Sequence, residues 1–61
     1  MTQLTTKELS VLTEQIAAER SLVAKYNRLA QDTHDAALRT KFNEIAQRHQ
    51  NHYDAMFAYL R

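Results

Sequence analysis

Glu19, His49 and His52 are the polar members of two rows that are otherwise able to pack in a core. In the first half of the chain, Leu9, Leu12, Ile16, Glu19, Val23, Tyr26 and Ala30 recur at alternating spacings of three and four. In the second half, Leu38, Phe42, Ile45, His49, His52, Met56 and Tyr59 do the same. Such spacing traces one face of an α-helix. A carboxylate and two imidazoles in a seam cost free energy unless something satisfies them. The nearest partners are each other, or a metal ion. His49-x-x-His52 puts two imidazoles on one side of a helix, where both reach one ion, and Glu19 from the facing helix supplies a third ligand. Two histidines and a carboxylate suit a first-row divalent ion such as iron, zinc or manganese.

The elements that must position these groups read as two helices. Thr5 and Glu8 have capping-box spacing, and Leu4 and Leu9 fall at the flanking hydrophobic-staple positions. Good helix formers continue to Gln31 with no breaker. The polar cluster Asp32-Thr33-His34-Asp35 reads as the turn, with Asp35 or Thr33 capping the next helix. The expected organisation is one helical-hairpin domain over 1–61, with helices at about 6–32 and 36–60 and a turn at about 33–35. No two-residue alternation persists long enough for a strand.

A short turn makes the helices antiparallel. Pairing them about residue 34 sets Val23 against Ile45, Tyr26 against Phe42, Ala30 against Leu38, and Glu19 against His49, with His52 one turn on. Further apolar rows, Val11, Ala18, Leu22 and Leu29 on the first helix and Ala46, Tyr53, Phe57 and Leu60 on the second, exceed what one neighbour covers. The expected closure is a homodimer, or a higher homo-oligomer, built as a four-helix bundle. Outward residues, among them Lys7, Glu14, Lys25, Arg28, Lys41, Glu44 and Arg48, are mixed in sign. Glu44 and Arg48 are spaced for an exposed ion pair.

The chain has 61 residues and no cysteine, glycine or proline. Its small size calls for a staple, and without cysteine that leaves a metal or oligomerisation. The formal net charge of +1 implies no broad attraction to nucleic acid or anionic membrane. The opening Met-Thr-Gln-Leu-Thr-Thr lacks a basic-then-apolar leader, and no apolar run reaches membrane-spanning length. The expectation is a soluble chain of cytoplasmic origin, with neither nucleic acid nor membrane as partner.

The frame Glu19, Tyr26, Ala30, Phe42, Ala46 and the His49/His52 pair resembles half of a ferritin-like or rubrerythrin-like bundle. There, each helix pair contributes one glutamate from its first helix and a Glu-x-x-His from its second. The opening Leu4-Thr5-Thr6-Lys7-Glu8 and the stretch Ile45-Ala46-x-x-His49-Gln50-x-His52-Tyr53 look like the small coat-F-like spore coat proteins of endospore-forming bacteria. That resemblance implies a structural, metal-binding role in sporulation, a spore-coat destination and other coat proteins as partners. It makes Glu19 the first-helix ligand and His52 the family histidine. His49, however, stands where ferritin-like enzymes carry a metal-bridging carboxylate. The reduced ligand charge poorly neutralises two oxygen-bridged trivalent irons, so oxygen or peroxide processing is the alternative rather than the first expectation. No catalytic residue is assigned.

Three other readings stay open at this level. The His–Glu set also works without an ion, as a hydrogen-bonded polar layer that sets register. Tyr26 could donate a hydrogen bond to the seam carboxylate. An RNA-binding hairpin dimer would use a basic face, but Arg20, Lys25 and Arg28 are offset by nearby acids.

Overall fold

A computed structural model describes residues 3–61. Met1 and Thr2, the start of the stretch that lacks a leader pattern, lie outside the described residues. Helix α1 spans Thr6–Asp32 and α2 spans Ala36–Phe57, with no strand among the described residues. The expected second helix reached residue 60; the chain instead tightens into a 3-10 turn over Ala58–Leu60. Such tightening is common at helix C-termini.

Local chemistry explains both helix starts. The Thr5 hydroxyl accepts from the Glu8 backbone N–H at 3.0 Å, and the Glu8 carboxylate accepts from the Thr5 N–H at 2.9 Å. This is a complete capping box. At α2, the cap is Asp35, which accepts from the Leu38 N–H at 3.0 Å. Thr33 serves the turn instead, where its hydroxyl accepts from the Asp35 N–H at 3.1 Å. Arg39 then reaches back from α2, donating through Nε to the Ala30 carbonyl at 3.2 Å and through Nη2 to the Thr33 carbonyl at 2.8 Å. The last carbonyls of a helix lack partners within it, so these bonds hold the two helix ends together.

The helices pair in the expected register. Tyr26 and Phe42 meet with ring centroids 6.1 Å apart, and Glu19 meets His49. The resulting core is thin. Ile16, Ala30 and Ala46 are its buried apolar residues, and Leu9, Val11, Leu38, Phe57, Tyr59 and Leu60 are exposed. Glu44 pairs with Lys41 at 3.5 Å, not with Arg48. One turn back suffices for the flexible lysine stem.

The two extra apolar rows do not share a face. Val11 lines an apolar cleft with Met56 and Tyr59, whereas Ala46 and Tyr53 line hollows with Val23 and Asn27 on the other side. Antiparallel pairing reverses the sense in which side-chain rows wind around the second helix. A row to one side of the α1 seam therefore lies opposite the α2 row displaced in the contrary angular sense.

Two outcomes test the cap. Thr5→Ala should lower unfolding free energy by about 1 kcal/mol, read by chemical denaturation; a loss below roughly 0.3 kcal/mol would contradict the cap's role. The second concerns pH. The Thr5 backbone N–H, and then its side chain, hold the Glu8 carboxyl below its ordinary value of 4.5. Stabilisation from a lowered carboxyl is fully present above the unfolded value and is lost as pH falls through the folded one. An NMR titration should place the Glu8 midpoint below 4.5, and a midpoint at or above it refutes the contact.

Candidate metal centre

Glu19 sits on the α2-facing row of α1 because three- and four-residue steps return it there from Ile16 and Val23. It is buried, with 6% of its surface exposed. An ionised carboxylate can only accept hydrogen bonds. α2 supplies two donors. The His49 Nδ1–H reaches Oε1 at 2.5 Å, and the His52 Nδ1–H reaches Oε2 at 3.2 Å. The carboxylate fixes that tautomer, since it has no proton to share when ionised.

The rings are held as well as bonded. Tyr26 stacks on His49 with centroids 6.0 Å apart and planes 19° from parallel. His49 in turn meets the edge of His52 at 5.7 Å. Tyr26 therefore acts through its ring face. The hydrogen bond to the carboxylate that its position suggested is replaced by the two imidazole bonds. Its place two helical turns beyond Glu19 in the row was legible; that it would wall His49 depended on side-chain direction.

The structure brings Glu19, His49 and His52 together, but at unequal depths. His49 keeps 22% of its side chain exposed and His52 keeps 52%. The expectation that all three are enclosed in the seam needs correction for His52, which lies on the rim. Its three-residue step from His49 turns it about 60° away from the seam axis. Arg20 and Arg48 are exposed and outside the cluster, as is His34 in the turn.

One ligand atom from each of the three residues lies within 4.8 Å of the others, so this group can hold a metal ion. At a ligand distance of about 2.1 Å, donor atoms stand about 3.0 Å apart around an octahedral ion and about 3.4 Å apart around a tetrahedral one. His52 Nδ1 stands 3.2 Å from Glu19 Oε2, inside that range, whereas His49 Nδ1 stands 2.5 Å from the other oxygen, Oε1, so an ion would need that contact to open and the carboxylate to turn or to bind through both oxygens. Without an ion the cluster is also satisfied: no buried side-chain nitrogen or oxygen lacks a partner among the described residues.

Comparison with protein-family models, curated proteins and solved structures returned no match. Among the described residues, no helix is long and apolar enough to cross a membrane.

Unequal depth sets an order of mutational cost. His49→Ala leaves a buried carboxylate half-paired and should destabilise by about 3 kcal/mol. His52→Ala removes a half-exposed contact and should cost about 1 kcal/mol or less. Equal losses in denaturant unfolding, or a reversed order, would contradict the assigned depths.

Proposed function

We propose that this chain is a small structural protein of the spore-coat type whose hairpin binds one first-row divalent ion through Glu19, His49 and His52. The observation that carries the metal half is the convergence of three ligand-type side chains from two helices onto one point. The set is one carboxylate and two imidazoles with positions left for water or further ligands, which suits iron, zinc or manganese. The structural half rests on the likeness of the Leu4–Glu8 and Ile45–Tyr53 stretches to coat-F-like proteins.

Each Nδ1 that coordinates must pass the hydrogen it shares with Glu19 to the ring's Nε2, so each neutral imidazole changes tautomer as it takes the ion. The ion also bridges α1 to α2 in a chain with a thin core. An ion that binds only the folded state stabilises by about 2.7 kcal/mol at a concentration about one hundred times its dissociation constant.

The second reading is a metal-free polar layer that fixes helix register. It is favoured by the complete satisfaction of Glu19 within the hairpin.

Cobalt separates the two. Tag-free protein titrated with Co²⁺ should develop visible absorption bands at one equivalent per chain, and Zn²⁺ should displace it and raise the melting temperature. Glu19→Ala and His49→Ala should each weaken Zn²⁺ binding by about 100-fold or more by calorimetry. Wild-type protein that takes up neither Co²⁺ nor Zn²⁺ at millimolar concentration sinks the metal reading and leaves the polar layer.

A further inference from the structure

Methionine occurs twice in the chain, at 1 and 56, and cysteine not at all. Met56 is therefore the one sulfur among the described residues. It follows His49 and His52 in one row of α2, at spacings of three and four. Residues four apart on a helix stand with their Cβ atoms about 5–6 Å apart. A long helical side chain also leans back over the turn that precedes it, and for Met56 that turn begins at His52. The thioether thus belongs to the helical turn next to the cluster, on the same side of α2 as the two imidazoles.

Met56 is not locked in the core. The buried apolar residues are Ile16, Ala30 and Ala46. Met56 is half-buried, in the wall of an apolar cleft of about 480 Å³ that it shares with Leu12, Gln15 and Tyr59. Three rotatable bonds and free space on the cleft side let its sulfur swing toward the cluster without disturbing the seam. His52, the neighbour it must reach, keeps 52% of its side chain exposed and is not enclosed by packing.

Charge and softness select the ion. Glu19 with two neutral imidazoles carries one negative charge. A divalent ion leaves this partly buried group with one surplus positive charge, whereas Cu(I) leaves it neutral, and uncompensated charge is what burial penalises. Thioether sulfur is a soft donor that favours Cu(I), while zinc sites draw on thiolate, imidazole and carboxylate. We propose that the Glu19/His49/His52 site binds Cu(I), with the Met56 thioether as its fourth ligand. This rests on those three side chains holding an ion, as in the function proposed above, and adds a ligand and an ion to it. The set is then one oxygen, two nitrogens and one sulfur, drawn from α1 and a single row of α2.

Tag-free protein titrated anaerobically with Cu(I), in competition with bicinchoninate, tests it beside Zn²⁺ calorimetry. Wild type should take one Cu(I) per chain, and X-ray absorption at the copper edge should show a sulfur neighbour. Met56→Leu keeps the apolar bulk and removes the sulfur. It should weaken Cu(I) binding at least tenfold and abolish the sulfur neighbour, with Zn²⁺ affinity and helicity by circular dichroism unchanged. Glu19→Ala and His49→Ala should each weaken both ions. Equal Cu(I) affinity in Met56→Leu, or a sulfur neighbour that persists in it, overturns the ligand and spares the metal reading. Parallel loss of Cu(I) and Zn²⁺ affinity in Met56→Leu overturns it too, because a packing residue acts on both ions alike. Cu(I) binding that survives Glu19→Ala and His49→Ala places the copper elsewhere and overturns the site. Uptake of Zn²⁺ or Co²⁺ without Cu(I) overturns the copper assignment alone. Protein that takes up none of the three overturns this inference together with the metal reading.

Discussion

Glu19 lies between two helices with 6% of its surface exposed, the one buried polar residue among those described. A carboxylate in that position is tolerated only because α2 presents an imidazole N–H to each of its oxygens. The arrangement constrains the rest of the fold. If α2 slid by one turn, Glu19 would face Ile45 in one direction and lose His49 in the other. Either way its charge would be buried without its full set of donors. Apolar contacts along the seam are less discriminating, since Leu, Ile, Val and Met interchange at modest cost. The acid and the two imidazoles thus specify the register that the apolar rows merely permit.

The turn supports the same register from the other end. Thr33, Asp35 and Arg39 close it through four hydrogen bonds that satisfy the end of α1 and the start of α2. A turn closed this way places residue 34 at the pivot, and equal counts outward bring Tyr26 to Phe42 and Glu19 to His49. Turn and cluster lie about 22 Å apart along the helices, so they fix the relative position of the two helices at two separated points. A thin core with no glycine, proline or cysteine gains its definition from these polar contacts rather than from apolar bulk.

Much of this was legible in the linear order of residues. The capping box at Thr5 and Glu8 and the Asp35 cap depend on groups three residues apart, so their chemistry is local and was readable. The meeting of Glu19 with His49 followed from two periodic rows and one short turn. The 3-10 ending at Ala58–Leu60 and the Lys41–Glu44 pair were not legible, because each depends on a choice among near-equal local alternatives. The role of Tyr26 was half legible: its row predicted burial against Phe42, but a position in a row does not say that the ring stacks on His49.

Sequence by itself determined the two helices, the turn, the antiparallel pairing and the convergence of one carboxylate with two imidazoles, because caps and helical periodicity act over a few residues. Only the tertiary structure decided that His52 lies on the rim and that the extra apolar rows occupy opposite faces. Both depend on the rotation of each helix about its own axis and on the reversal of winding sense in an antiparallel pair. Those are properties of two helices together, and neither helix's pattern carries them alone.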